Sequence, residues 1–497
     1  MTGLPTRAAL AATLGLLTFT AGCAVGPRYQ KPAAMVPTTT MPVEWNGQPW
    51  QAAAPKDTIP KGPWWQVFHD SALDGYEQQL LASNQSLLVS RDRLEQARSI
   101  AKVATAGLFP SVSTDPGALR EGVGANHPLN GAAVPTSYTQ SVFTVPFSIN
   151  YEVDLFGRVR KNVEAANATL QSTAADLANV QLVLTAELAA DYFTLRELDA
   201  ELQVVDESVG YERKGLQLVN NRHKGGIASG LEVAQQAALL DATLTQYALV
   251  KQSRAQYEHA IAVLVGQSAT NFTIAAAPLK TTPPALPLGV PSEVLERRPD
   301  IATAERQIAY ANAQVGIARA AFYPRISLGG TGGGWQSRDI ATLASAPSLF
   351  WVLGADALEP VFQGGRNRAN LAAARSSYDA SVANYRQSVL TAFQQVQDGI
   401  SNLQTLTDAA KTQAAAVEDA RSELTIANNR YVGGVTSYLD VITAQSTLLN
   451  NERLATQLLG QQMVSTVYLV KALGGGWDVR ALEQEQVKPR ASQIVQP

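Results

Sequence analysis

The sequence predicts an α+β membrane fold that is internally duplicated, with four β-strands and several unusually long α-helices in each chain. Three observations carry this prediction: a match between the two halves of the chain, a proline-free stretch of 67 residues in each half, and a strand in which apolar and polar residues alternate. Together they indicate one repeated structural unit rather than several unrelated domains.

The two halves match each other at four places that occur in the same order. The longest match aligns residues 221–233 with 429–441, an offset of 208, and it places Gly225-Gly226 opposite Gly433-Gly434. Two more matches share this offset: Gly157-Arg158 with Gly365-Arg366, and Val265-Gly266 with Leu473-Gly474. A fourth match aligns residues 108–113 with 322–327 at an offset of 214. Ordered self-similarity of this kind is typical of a duplicated unit.

Composition excludes several classes of protein. Only 16% of the residues are charged, whereas ordinary soluble domains carry about 25%. The 39 Lys and Arg residues are outnumbered by 42 Asp and Glu residues, which excludes a nucleic-acid binder with a basic surface, and the single cysteine excludes a disulfide scaffold. After residue 22 there is no run of about 18 apolar residues, the length that a membrane-spanning helix needs. Low charge is expected where helices share their faces between chains or line an aqueous space.

The N-terminus predicts export and lipidation. Residues 1–22 read as a signal peptide, with Arg7 followed by a short apolar core. The small residues before Cys23 resemble the bacterial lipobox, although Thr20 replaces the usual leucine. We therefore expect a lipidated Cys23 at the start of an extended tether, residues 23–71; the alternative is cleavage near Gly22 that leaves a free thiol.

The remaining chain is predicted to contain two α-β-β-α repeats. The first covers residues 72–277 and the second covers 292–476. A Pro-rich linker, 278–291, joins them and is expected to bulge from the middle of the helical body. Residues 477–497 form a C-terminal tail.

The proline-free stretches predict helices over 158–224 and 366–432, each about 100 Å long at 1.5 Å per residue. Four shorter helices are predicted over 72–107, 231–264, 292–321 and 439–472. Their lengths suggest four columns of equal height, with 231–264 stacked with 292–321 and 439–472 stacked with 72–107. No single globular domain would bury helices of this length.

Four strands are predicted over residues 111–120, 142–155, 325–335 and 348–358. In the second of them apolar and polar residues alternate, which fits a sheet with one face on a core or one face on lipid. Membrane barrels need at least about eight strands, and an open sheet edge in lipid leaves backbone groups unpaired. Several chains are therefore expected to share one barrel.

Motifs throughout the chain resemble one known family. They lie in residues 23–32, 152–160, 298–324, 360–366 and 471–477. With these motifs the chain resembles the TolC-type outer-membrane efflux channels, in the lipoprotein branch typified by OprM, over nearly the whole mature chain. The resemblance implies a homotrimer with a twelve-stranded barrel in the outer membrane and a long periplasmic coiled-coil tunnel with a small equatorial region. It also implies docking to a periplasmic adaptor (membrane fusion) protein and to an inner-membrane transporter of the RND type.

The function implied by the resemblance is an exit duct that passively conducts drugs or other small toxic compounds out of the cell. Two alternatives stay open: the duct of a type I protein-secretion system, and a lipid-anchored coiled-coil protein that bridges the envelope. Neither enzymatic activity nor a cofactor or metal is expected, because the four histidines are scattered and no catalytic motif is found.

The glycine-pair turns are expected to lie farthest from the barrel, where the resemblance implies contact with the adaptor. The ten predicted contact residues are Gly225, Gly226, Ile227, Ala228, Ser229, Gly433, Gly434, Val435, Thr436 and Ser437. Ser229 and Ser437 are candidates to cap the helices that follow, which have Glu232 and Asp440 in their first turns. Good turn chemistry alone is the alternative explanation of this pattern.

The resemblance also places the gate of the tunnel near the second turn, at Arg430, Tyr431, Leu439 and Asp440. A ring of leucines would exclude water, a ring of carboxylates would favour cations, and Arg430 could hold neighbouring helices through carboxylate hydrogen bonds. Thr443 stands where family members often carry Asp, so fewer charges are expected at this gate. As an alternative, Asp440 is a simple charge at a helix N-terminus.

Overall fold

The computed structural model describes residues 25–32, 44–45, 48–49, 62–125, 137–284 and 297–486. The predicted signal peptide, Cys23 and the last part of the tail lie outside the described residues. So do residues 285–291 of the predicted linker and the first five residues of the predicted helix 292–321.

Long helices make up most of the described chain. Their bounds are α1 (Ser71–Ser83), α2 (Gln85–Ala106), α3 (Arg158–Lys224), α4 (Gly230–Leu264), α5 (Pro299–Ala320), α6 (Arg366–Val432) and α7 (Tyr438–Ala472). Short 3-10 helices cover Trp64–Phe68, Ile340–Thr342, Ala346–Ser348 and Val479–Gln484. The two 67-residue helices α3 and α6 are confirmed at both ends. Among the described helices, none is both long enough and apolar enough to cross a membrane.

An antiparallel sheet lies at one end of the long helices. Its strands are β1 (Ser111–Thr114), β2 (Gly117–Val123), β3 (Tyr138–Val153), β4 (Arg325–Ser337), β5 (Leu349–Phe350) and β6 (Gly354–Leu358). β3 and β4 form the centre; β1 and β2 both pair with β3, and β5 and β6 both pair with β4. Farther towards the N-terminus, Glu44–Trp45 pairs with Gln48–Pro49.

The four predicted strands are thus present, but the first and the last are interrupted. The first breaks at Asp115-Pro116, where proline has no N–H to donate to the ladder. The last breaks at residues 351–353. The sheet therefore has four strand positions and six strand segments.

One predicted helix is wrong: residues 72–107 form two helices, not one. Asn84 has an extended backbone and ends α1. Its side-chain oxygen accepts a hydrogen bond from the Leu87 N–H at 3.0 Å, which caps α2, and its amide donates to the carbonyl of Leu264 at 2.9 Å. Asparagine is a strong N-cap, but here it lies inside a continuous apolar pattern that predicts an unbroken helix.

The predicted stacking of the shorter helices is also wrong. Because Asn84 contacts the last residue of α4, α2 stacks on α4. In the same way the Arg298 guanidinium donates to the carbonyl of Ala472 at 3.1 Å, so that α5 stacks on α7. Each column therefore forms within one repeat, whereas the lengths had suggested columns shared between repeats.

The described parts of the predicted tether dock on the helices at two places. Residues Trp64, Trp65 and Phe68 are buried in the largest apolar cluster, against the middle of α3, where the Trp64 indole donates to Thr185 Oγ1 at 3.1 Å. Nearer the N-terminus, the Val25 N–H donates to the carbonyl of Phe156 at 3.1 Å, just beyond the end of β3. The chain that follows Cys23 is therefore held beside the sheet.

Candidate functional site

The two glycine-pair turns have the same backbone geometry. Gly226 and Gly434 have φ values of 76° and 74°, the left-handed region that favours glycine. In the first turn the Ile227 N–H donates to the Arg222 carbonyl at 2.8 Å, and in the second the Val435 N–H donates to the Arg430 carbonyl at 2.9 Å. This six-residue closure is a Schellman motif, formed twice at an offset of 208 residues.

The start of the following helix differs between the two turns. Ser229 caps the helix as predicted, and it does so in a capping box with Glu232, in which each side chain accepts a hydrogen bond from the other's backbone N–H. Ser437 makes no side-chain cap, so the prediction for it is wrong. Instead the Thr436 hydroxyl donates to the carboxylate of Asp440.

Most of the predicted contact residues at the turns are accessible. Ile227 and Val435 are largely exposed at equivalent positions, an apolar pair at the ends of the two hairpins. Ala228 is the exception, because it is buried against Val219 and the second hairpin. The exposed surface is therefore made by the glycines, the two branched apolar residues and the hydroxyl residues.

Two tyrosines bind the hairpins to each other within one chain. Tyr431 is buried; its hydroxyl donates to Glu232 Oε2 at 2.9 Å, and the Arg222 guanidinium lies 4.6 Å from its ring centre. Burial raises the pKa of Tyr431 and the pKa of Tyr438, the latter to about 12, so both hydroxyls keep their protons at neutral pH. Tyr431 consequently joins the two hairpins.

The second tyrosine extends this contact. The Tyr438 hydroxyl donates to Gln236 Oε1 at 2.9 Å, and the Gln236 amide donates to the carbonyl of Glu212 at 3.0 Å. The rings of Tyr431 and Tyr438 lie 4.8 Å apart. We call the set Arg222, Glu232, Gln236, Tyr431 and Tyr438 the hairpin clasp.

The four predicted gate residues divide between two grooves. Arg430 and Asp440 line one groove of about 440 Å³, together with the acidic residues Asp419 and Glu423. Leu439 and Tyr431 line the other, of about 420 Å³, which lies between the hairpins. Arg430, Leu439 and Asp440 are exposed, whereas Tyr431 is not. The first groove can therefore present the Arg430 guanidinium and three carboxylates to a facing protein surface.

Sequence reasoning missed the clasp residues Arg222, Gln236 and Tyr438. A signal for them was present in the differences between the repeats. At the offset of 208, Tyr431 stands opposite His223 and Tyr438 stands opposite Gly230. Aromatic residues that appear in only one of two equivalent turns indicate a contact between the turns that the duplication does not repeat.

Comparisons with known proteins agree with this architecture. The family model described as "Outer membrane efflux protein" matches residues 77–267 and 290–475. The chain is 32% identical over 461 residues to the probable efflux pump outer membrane protein TtgC of Pseudomonas putida, an alignment that covers 92% of this chain and 93% of the relative. It is 30% identical over 449 residues to the pyoverdine export outer membrane protein OpmQ of Pseudomonas aeruginosa, covering 90% and 93%. The solved structure of the outer-membrane channel OprN matches with a TM-score of 0.82 and 28% identity, over 92% of this chain and 100% of that chain.

Proposed function

The chain belongs to the outer membrane efflux protein family, and we propose that it is the exit duct of a tripartite efflux system. The duct stands in the outer membrane, extends into the periplasm and conducts passively, without catalysis. Its cargo is drugs or other small toxic compounds, which a periplasmic adaptor and an inner-membrane transporter of the RND type deliver. A relative named for pyoverdine export supports small compounds over proteins as the cargo.

One observation carries this proposal: the sheet, whose two outer edges have no strand partner among the described residues, continues directly into two helices of 67 residues. Such helices are about 100 Å long, far more than the roughly 30 Å of a bilayer core. An open edge is not viable in lipid, so the sheet must be completed by other copies. Three copies would supply twelve strand positions, above the minimum of about eight for a membrane barrel.

We propose that the hairpin turns are the adaptor-contacting end and that Arg430, Leu439 and Asp440 form the gate. Their exposure on one chain leaves them available to a neighbouring copy or to the adaptor. Tyr431 belongs to the same gate as part of the hairpin clasp, because a change in its contact with Glu232 would move one hairpin against the other.

A strain that lacks the gene is expected to become more susceptible to small toxic compounds, because the pump has lost its exit. Minimal inhibitory concentrations across several compound classes measure this, with the wild-type gene on a plasmid as the control. Unchanged susceptibility to every compound, under conditions in which the protein is produced, would count against an efflux role.

We also propose the division of the chain that the sequence predicts, with signal peptide 1–22 and a tether anchored by lipid at Cys23. Support comes from the docked segment behind it: Val25 is bonded beside the end of β3, and two residues span at most about 7 Å. Cys23 is therefore within reach of the membrane surface that the strand ends define.

Growth with a palmitate analogue is expected to label the wild-type protein, whereas the Cys23→Ser variant remains unlabelled because the chain has no other cysteine. The labelled band is detected after purification in detergent. An unlabelled wild-type protein would show that Cys23 is not acylated, and equal labelling of both proteins would place the lipid elsewhere.

A further inference from the structure

Two glutamates of α3 are buried together where this helix packs on α7. Glu197 is 8% exposed and Glu201 is 3% exposed, and they lie one helical turn apart on the same face of α3. Gly460 of α7 makes room for the first of them, since a Cβ on Gly460 would lie 2.7 Å from the Cβ of Glu197. The two carboxyl groups are therefore enclosed between a helix of the first repeat and a helix of the second.

The two carboxyl groups differ in their partners. The Arg453 guanidinium of α7 donates from Nε to Glu201 Oε1 at 2.8 Å, and the Gln457 amide donates to Glu201 Oε2 at 3.3 Å. Glu197 Oε1 is also buried, but it has no hydrogen-bond partner among the described residues. A buried carboxylate without a partner is costly, so holding a proton stabilises Glu197.

The charges around Glu197 also favour its neutral form. Glu201 faces it from the same helix and Arg453 faces it from α7, and these are the two charged groups that act on it. Burial raises the pKa of Glu197 most, Glu201 raises it further and Arg453 lowers it, so that the pKa lies at about 7. Glu197 therefore gains or loses its proton close to neutral pH.

Other charged residues near this part of α3 are bonded elsewhere. Asp199 lies on the opposite side of α3, where it accepts from Arg254 of α4 at 2.6 Å and from Arg196 at 3.2 Å. Arg254 also donates to Glu258 of α4 at 3.1 Å. The remaining charged residues of α7 either pair with α6 or lie at the ends of the helix: Glu452, Asp440 and Lys471.

We propose that Glu197, Glu201 and Arg453 form a proton-binding site that holds α3 of the first repeat against α7 of the second. With the proton bound, Glu197 is neutral and its hydroxyl donates to the carboxylate of Glu201, while Arg453 balances the one remaining negative charge. When the proton leaves to the solvent, two buried carboxylates share one guanidinium. Their repulsion weakens the contact between the two helices.

The proton site is not part of the duplicated pattern. For Glu197, Glu201, Arg453 and Gly460, the equivalents at the offset of 208 are Thr405, Ala409, Thr245 and Gln252, respectively. Only 16% of the residues in this chain are charged, and an apolar group of similar volume often packs such a contact at lower cost. Three buried charged groups at one contact therefore favour a role beyond packing.

The proton site lies on the helix that begins at the proposed gate. Leu439 and Asp440 are in the first turn of α7, and Arg453 is 14 residues beyond Leu439, about 21 Å along the helix. A weaker contact between α3 and α7 allows α7 to move, and the second hairpin moves with it. This consequence rests on the proposed gate, whereas the proton site itself does not.

Infrared difference spectra of the purified protein between about pH 6 and about pH 8 test the proton site directly. The wild type is expected to show the carbonyl band of a protonated carboxylic acid, lost with a midpoint near pH 7. The variant Glu197→Gln should lack this band. The control Glu207→Gln, the same substitution at an exposed position of α3, should keep it. Asp191, whose pKa burial raises to about 6, contributes equally to all three proteins and cancels between them.

A band with this midpoint that persists in Glu197→Gln, or its absence from the wild type, would overturn the proton site and leave the duct intact, because the spectrum does not depend on transport. If Glu197→Gln does not assemble, Glu201→Gln takes its place. Arg453 then has Glu197 as its carboxylate partner, which lowers the pKa of Glu197. The band should therefore disappear from this pH range, and an unchanged band would again overturn the site.

Thermal unfolding tests whether the proton holds the helices together. An unfolded glutamate has a pKa of about 4.3, so the folded protein binds the proton more tightly, and the stability that the site contributes is lost as the pH rises to about 7. Relative to the wild type, Glu197→Gln should therefore unfold at a progressively higher temperature as the pH is raised from about 5 to about 8. Glu207→Gln should show no such trend. A difference between Glu197→Gln and the wild type that does not change with pH would overturn the proposed contact.

Closed-state conductance in planar bilayers tests the coupling to the gate. The wild type is expected to conduct severalfold more at about pH 8 than at about pH 6, and Glu197→Gln should conduct equally at both. The same pH dependence in both proteins, or none in the wild type, would overturn the coupling. Absence of channel activity at every pH would instead count against the duct.

Discussion

Leu439→Ala is expected to raise the closed-state conductance of the channel in planar bilayers severalfold, and Arg430→Ala is expected to do the same. Leu439 is an exposed apolar residue, by 53%, in the first turn of α7. Symmetry-related copies would bring these side chains towards one axis, and truncation would leave room for water and ions. Arg430 lies in a groove with three carboxylates, so its removal would leave their charges to repel one another and hold the groove open.

The duplication supplies a matched control for the gate. Leu231 is equivalent to Leu439 at the offset of 208, lies in the first turn of α4 and is also exposed, by 66%. Because the predicted gate lies at the second hairpin, Leu231→Ala should change the closed-state conductance much less. Unchanged conductance in both Leu439→Ala and Arg430→Ala would remove the gate assignment.

Gly474→Ala is expected to lower the thermal stability of the protein strongly. Gly474 has a φ of 96°, and a Cβ there would lie 2.4 Å from the Arg297 carbonyl oxygen, at the junction where α5 stacks on α7. Backbone strain of this kind costs about 1–3 kcal/mol, and the overlap with backbone atoms adds to it because neither chain segment can move away freely. The midpoint of thermal unfolding in detergent measures the loss.

The variant Gly365→Ala separates the effect of backbone strain from the effect of overlap with neighbouring backbone atoms. Gly365 has a similar φ of 86°, but a Cβ there would have no neighbour within 4 Å. We expect Gly365→Ala to lose only the stability that backbone strain costs, and therefore to unfold at a higher temperature than Gly474→Ala. Equal losses in the two variants would mean that the close approach to Arg297 has no effect on stability.

The self-match predicted the parts of the fold that depend on local pattern. The proline-free stretches located both 67-residue helices, and alternation together with the repeat located the four strand positions, because these patterns are read directly from the chain. The fold class and the family are confirmed. The prediction of helix stacking failed because helix lengths alone do not identify the partners. The bonds of Asn84 to Leu264 and of Arg298 to Ala472 show that each column is built within its own repeat.

At the candidate site, the turns could be predicted but the contacts between them could not. The glycine pairs fix two equal turns because only glycine adopts the required φ without strain. The bond from Tyr431 to Glu232 spans 199 residues and depends on how the two hairpins pack, which no local pattern encodes. The absence of a side-chain cap at Ser437 has a local origin instead, because the hydroxyl of the neighbouring Thr436 donates to Asp440 in the second turn.

The rate at which cells expel a preloaded fluorescent dye tests the proposed exit duct most directly. Cells that carry the wild-type gene should lose the dye rapidly after an energy source is restored. Cells that lack only this gene, with the adaptor and transporter still produced, should retain it, and the wild-type gene on a plasmid should restore export. Equal rates with and without the gene, for a dye that the same pump exports, would contradict the proposal.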